Sequence, residues 1–463
     1  MKSTRRNFIR NSGLISLGFL GLYKYSYSKS FTSNVSDGGY GPLITDPKGI
    51  MSLPKGFSYH IISKSGNTMH DGLLVPGKPD GMATFNGGAN RTIIIRNHEN
   101  NADEKKDGPF GKQNELLNKI DKNKFYDFGR GELPATGGTT TLVYNHLAKK
   151  VETEYLSLAG TLRNCAGGPT PWNSWITCEE TTIKAGEALE KDHGYTFEVN
   201  ASINPALAEP LPIKGMGRFN HEAVAVDPAT GIVYLTEDDQ EGLIYRYIPK
   251  TPGKLLDGGK LQALAFVDQD AFDTRNWRDL ETPKLLQGEW KNVRWIDLDR
   301  IDSPENDLRF RGFKRGAARF ARGEGMWFGN KELYFACTSG GLTKGGQVFR
   351  YKPGQYEGTS RESEAPGMLQ IFAEPNDKKI LNHCDNLTVS PWGDLVLCED
   401  DGHPFLVGIT PEGTYYKLAE NTGYNSELAG VVFSPDGSTL FVNIQHEGLT
   451  LAIEGPWKKS QGR

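Results

Sequence analysis

Residues 221–239 read HEAVAVDPATGIVYLTEDD. A polar opening, His221-Glu222, runs into the apolar stretch Ala223 to Val226, and a second apolar stretch ends in the acids Glu237, Asp238 and Asp239. Between them Pro228 presets φ and Gly231 supplies a positive one, so the two stretches fold back on each other as a β-hairpin. The same module recurs at 80–99, 165–180, 323–341, 384–401 and 428–447, with like turns at Ser390-Pro391-Trp392-Gly393 and Ser434-Pro435-Asp436-Gly437. The repeat averages about 70 residues, longer than the roughly 40 to 50 of simple propeller blades, so the excess sits in loops. Strand-like runs at 139–145, 194–199, 242–248, 346–351 and 405–409 supply outer strands. A further run at 57–63 can close a ring on the last hairpin. The predicted fold is all-β, a six-bladed β-propeller with long inter-strand insertions. Two β-sandwiches of three repeats each would need a mid-chain linker, and the sequence offers none.

The composition agrees. Of 463 residues, 55 are Gly and 25 Pro, as turns demand, while aromatic residues at 10% supply core. Lys plus Arg is 53 against 57 for Asp plus Glu, a net charge of -4, so no basic field exists to hold nucleic acid as a dedicated partner. Five cysteines, an odd and scattered number, make no disulfide framework.

Two adjacent arginines, Arg5 and Arg6, precede an apolar stretch from Ser12 to Leu22 that is too short to span a bilayer. Residues 1–30 read as a twin-arginine signal peptide, an address for the twin-arginine export machinery and for a periplasmic or secreted destination. That route carries folded proteins, which suits a chain that acquires a prosthetic group before export. Residues 31–463 then form a single propeller domain, expected to be monomeric and without a membrane span.

In a propeller both ends of each inner hairpin meet at one rim. The opening positions read Asp80, Ala166, Glu222, Glu324, Asp385 and Ala429, and the closing positions Glu99, Glu179, Glu237, Ser339, Glu399 and Glu447, with Glu180, Asp238, Asp239, Asp400 and Asp401 following directly. Carboxylates so crowded repel one another and call for counter-charge. Oxygen-rich sets suit calcium. Cys178 beside Glu179, and Cys384 and Cys398 beside Asp385 and Glu399, would shift the preference toward a transition metal such as iron, copper or zinc. A strand cysteine is otherwise a small buried hydrophobe. Arg322, two residues before Glu324, offers a rigid fork for a phosphate, or else a surface ion pair. The histidines His98, His221, His383 and His446 make no metal-spacing motif and are expected to support the ligands from behind.

These segments resemble the PhoX family of alkaline phosphatases. The resemblance is carried by the twin-arginine start, Asn97-His98-Glu99, the stretch from Asn164-Cys165-Ala166-Gly167-Gly168 to Thr177-Cys178-Glu179-Glu180, and Asn220-His221-Glu222. Arg322-Gly323-Glu324-Gly325, Cys384-Asp385-Asn386 and Cys398-Glu399-Asp400-Asp401 complete it. It implies a propeller whose funnel holds iron and calcium and hydrolyses phosphate monoesters of small molecules outside the cytoplasm. By position it implies Cys178 as the thiolate ligand of iron, and Glu179, Glu222, Glu324, Asp385 and Glu399 as metal ligands. Glu99, Glu237 and Asp400 are further candidates, His221 and Asn386 support them, and Arg322 is the catalytic contact to substrate phosphate. Two other functions stay open on the residues alone. One is a calcium-only propeller hydrolase of lactones or phosphotriesters, and the other is a non-catalytic, calcium-stabilised binding propeller.

Overall fold

In the computed structural model, which describes residues 39–459, the six sequence modules are six antiparallel hairpins. They pair Pro79–Asn86 with Arg91–His98, Asn164–Pro169 with Ser174–Glu179, and His221–Val226 with Val233–Glu237. The others pair Gly323–Gly329 with Glu332–Cys337, Cys384–Val389 with Leu395–Glu399, and Leu428–Phe433 with Thr439–Ile444. At the turn of the third hairpin Asp227 accepts from the Ala229 amide at 2.9 Å, and Gly231 sits at φ 73°. That is the local chemistry its sequence prescribes.

The first strands of the six hairpins stand side by side in chain order, each packed on its two neighbours, and the last packs against the first. Outer strands flank them at Gly137–Asn145, Thr196–Asn200, Ile244–Pro249, Gln347–Lys352, Phe405–Ile409 and Leu449–Glu454. The ring closes where Ser58–Lys64, from early in the chain, pairs antiparallel with Leu449–Glu454 from its end. A buried ion pair marks that seam. Arg96, fully buried, meets Glu154 at 2.9 Å, and Ser63 of the closing strand donates to the same carboxylate at 2.6 Å. The result is an all-β, propeller-like fold.

The sheets are less uniform than the repeats suggest. Among the described residues there are five, of three, four, four, six and nine strands. The nine-stranded sheet arises because Lys291–Asp297, inside the long insertion after Phe266, pairs with Gly259–Phe266 on one side and touches Met368–Ala373 on the other. An unpaired sheet edge is a template for any strand that reaches it. The core lies between sheets. Between the third and fourth hairpins Ala225, Tyr234 and Leu264 pack on Met326, Phe335 and Phe349, with the two Phe rings stacked 5.0 Å apart. Each Leu, Met or Phe among them contributes about 1.5–3 kcal/mol by leaving water. Among the described residues no helix is long and apolar enough to cross a membrane. The proposed signal peptide lies outside the described residues.

Candidate metal centre

Each hairpin is drawn shut at its mouth by one backbone hydrogen bond. The amides of Glu99, Glu180, Asp238, Thr338, Asp400 and Gln445 donate to the carbonyls of Lys78, Arg163, Asn220, Arg322, His383 and Glu427, at 2.9–3.3 Å. Just inside that bond every inner strand carries a β-bulge. From Pro79↔His98 the ladder resumes at Met82↔Arg96, three residues on for one strand and two for the other, and the same slip occurs in all six hairpins. A bulge breaks strict alternation and re-aims the side chains beside it. Here it sends one residue up to the mouth and the next, Gly81, Ala166, Ala223, Gly325, Asn386 or Gly430, into the channel below. These small residues let the strands approach closely: a Cβ on Gly325 would lie 2.6 Å from Asn386 Cα.

Above them is a cavity of about 170 Å³. Its lower ring is Asp80, Cys165, Glu222, Glu324 and Asp385, from five opening positions. Its upper ring is Glu99, Glu180, Asp238, Asp400 and Gln445, from five closing positions, and Arg163, Arg322 and Glu427 fill the rim. The structure thus brings together Glu99, Glu222, Glu324, Asp385, Asp400 and Arg322 from the expected set. The second opening position is Cys165, not Ala166.

Four expected ligands lie elsewhere. Cys178 is fully buried among Ile176, Val224 and Leu235 in the apolar layer between sheets. Glu179, Glu237 and Glu399 are the last paired residues of their strands, so alternation turns them away from the channel while Glu180, Asp238 and Asp400 face it. They instead tether the loops that lead to the third strands and, for Glu179 and Glu399, the segments that lead into the first. Glu179 accepts from the amides of Gly194 (2.8 Å) and Leu162 (3.0 Å), Glu237 from Leu243 (3.1 Å), and Glu399 from Phe405 (3.0 Å) and Asn382 (2.9 Å). His193 adds a side-chain contact to Glu179 at 2.6 Å. His221 stacks on Phe219 at 3.6 Å, and burial pushes its pKa down to about 3, so it stays a neutral packing group. Asn386 donates to Asp385 at 3.1 Å and accepts from the Gly430 amide, which fixes a carboxylate of the lower ring.

Sequence reasoning missed Cys165, Glu427 and Arg163. Cys165 stands where four of the other five hairpins carry an acid, and aligning the bulges would have found it. Arg163 and Glu427 precede the opening positions of their hairpins by two residues, as Arg322 does.

The cavity holds nine carboxylates, one thiol and two guanidiniums. Burial first, and then neighbouring carboxylates, push the carboxyl groups of Asp80, Glu180, Glu222 and Glu324 well above their ordinary range. Asp385 is raised to about 8 by burial and by Asp400. Burial and the charge of Glu222 also raise the Cys165 thiol, which donates to Glu222 Oε2 at 2.6 Å. Such a set ionises together only if cations or protons offset it. Two trios place donor atoms within 4.8 Å of one another, Cys165 with Glu180 and Glu222, and Glu222 with Glu324 and Asp385. Glu222 belongs to both. The second trio is all hard oxygen, which fits calcium, and the first adds a soft sulfur, which fits a transition metal such as iron. Arg322 lays its fork on Asp238, Nε at 2.8 Å and Nη2 at 2.7 Å, and also meets Glu324 at 3.0 Å.

Solved structures similar to this one include a gluconolactonase from Xanthomonas campestris, 11% identical over 90% of this chain and 98% of that one, with a TM-score of 0.40. A Bacteroides thetaiotaomicron protein of unknown function is 9% identical over 86% of this chain and 76% of its own, at 0.42. The PQQ domain of a Coprinopsis cinerea pyranose dehydrogenase is 9% identical over 88% and 98%, at 0.33. Likenesses of that size carry no argument about chemistry. A search of curated proteins returns no significant match. A family model is more informative: the one described as alkaline phosphatase PhoX matches residues 38–152 and 134–448, a span that takes in all six hairpins and every residue of the cavity. The chain belongs to the PhoX alkaline phosphatase family.

Proposed function

We propose that the chain is an exported phosphatase that hydrolyses phosphate monoesters with calcium and iron held in the acidic cavity. The observation that carries this reading is the convergence of nine carboxylates and one thiol on a space with only two guanidiniums, in a chain of a phosphatase family. In this account Cys165, Glu180 and Glu222 hold iron, and Glu222, Glu324 and Asp385 hold calcium, with Asp80, Asp400 and Glu427 at hand for further ions. Bound metals would polarise the phosphoryl oxygens and offset charge on the leaving group. Arg322 positions the phosphate, and its side chain, one third exposed at the mouth, is placed to meet an incoming ester. Asp238 holds the guanidinium in plane until then. We count six blades, reading the nine-stranded sheet as two blades joined by Lys291–Asp297. A periplasmic or secreted monomer reached by twin-arginine export belongs to the same proposal.

The test is hydrolysis of a chromogenic phosphate monoester by protein purified without chelator, with elemental analysis alongside. The reading expects turnover, bound calcium and iron, and loss of turnover on chelation. Calcium without iron would favour the lactonase-like or phosphotriesterase-like alternative. A metal-loaded protein with no turnover would favour a binding propeller.

A further inference from the structure

The six positions two residues before the opening positions are equivalent, since each carbonyl closes a hairpin mouth. Of their side chains, Arg163, Arg322 and Glu427 line the cavity. The two arginines are held differently. Among the described residues the Arg322 side chain pairs only with the carboxylates of Asp238 and Glu324, which a ligand can displace. Arg163 is pinned on main chain as well: its Nε donates to the Glu180 carbonyl at 3.0 Å, while Nη2 meets the Glu180 carboxylate and, at 2.7 Å, Glu99. Glu99 and Glu180 come from adjacent hairpins, so Arg163 lies in the gap between two neighbouring upper-ring acids. The other oxygen of Glu99 accepts from Gln445 at 3.0 Å, which leaves that carboxylate engaged at both oxygens.

A divalent ion bridging two carboxylates does what this guanidinium does, binding oxygens of both and cancelling their repulsion. We propose that Arg163 is an internal cation of the metal centre, occupying the place between Glu99 and Glu180 that a further divalent ion would take and so limiting how many calcium ions the cavity binds. The inference rests on the metal-centre reading above. In it Glu99 is a partner of Arg163 and not a metal ligand, and Glu180 is shared between Arg163 and the trio containing Cys165.

The experiment counts calcium bound per chain at saturation, by equilibrium dialysis of the full-length protein, for wild type and variants with native far-UV spectra. Arg163→Met, which keeps bulk and removes charge, should bind about one calcium more than wild type. Arg163→Lys should match wild type, and Arg163→Met combined with Glu99→Gln should fall back to the wild-type count. Glu99→Gln alone should leave the count unchanged, an arm that stands even if Arg163→Met does not fold. An Arg163→Met count equal to or below that of wild type overturns the inference, as does a calcium lost in Glu99→Gln. Wild type that binds no calcium would instead overturn the metal-centre reading, and this inference with it.

Discussion

Arg322 is the residue on which the proposed substrate contact turns. Its fork already grips a carboxylate through two nitrogens, the same geometry that clamps two oxygens of a phosphate. Lys in its place would keep the charge and lose the fork. We therefore expect Arg322→Lys to lower turnover of a phosphate monoester by about a hundredfold, roughly 3 kcal/mol of transition-state stabilisation, with calcium and iron content unchanged. Equal turnover would reduce Arg322 to a counter-charge, and lost metal would make it part of the centre. Single residues were also where the sequence was easiest to misread. Cys178 sits beside two acids, and that adjacency suggested a ligand, but it lies within the paired strand and packs in the apolar layer between sheets, whereas Glu180 lies past the last pair. Cys165 lacked an acidic neighbour and faces the acids all the same.

At the scale of the hairpin, the sequence was explicit about strands and turns because Pro and Gly punctuate apolar runs. It was silent about the bulge. The bulge decides which opening residue faces the cavity, Cys165 and not Ala166, and the strand ends decide the closing ones. Glu179, Glu237 and Glu399 were expected there, but they are the last paired residues, and Glu180, Asp238 and the already expected Asp400, one residue on, line the cavity. The first hairpin, where Asp80 and Glu99 both line the cavity, happened to be in register. The displaced acids have a separate role that can be measured. Glu237 is buried, accepts from Tyr245 at 2.7 Å and from the Leu243 amide, and burial lifts its pKa to about 7. Glu237→Gln should cost stability of about 1–3 kcal/mol through a weakened loop tether, read as a lower Tm, and leave bound metal unaltered. A fall in metal content at unchanged Tm would return Glu237 to the ligand set.

For the whole molecule, the six-fold repeat was legible because it is written in local patterns, whereas the strand Lys291–Asp297 that fuses two sheets lies in an insertion with no counterpart in other repeats. The ring gathers acids that no single hairpin could hold close, so on the proposed metal-centre reading folding and ion binding are coupled. The sign follows from Asp385. Its carboxyl is raised from 3.8 to about 8 in the fold, so the folded state favours the protonated form. That contribution to stability is full below the unfolded pKa and is lost as pH rises through about 8. Chelator-treated protein should thus show a Tm that falls between pH 5 and 9, to be checked by thermal melts across that range, while calcium-loaded protein should change far less. Identical pH profiles with and without calcium would show that cations do not offset the ring.

The most direct test of the central claim is anomalous diffraction from crystals of protein purified without chelator, recorded above and below the iron edge and at long wavelength for calcium. The account predicts an iron peak bounded by Cys165, Glu180 and Glu222, and a calcium peak bounded by Glu222, Glu324 and Asp385. Peaks beside Cys178 and Glu179, or no anomalous density in the cavity of a protein that hydrolyses phosphate monoesters, would contradict it.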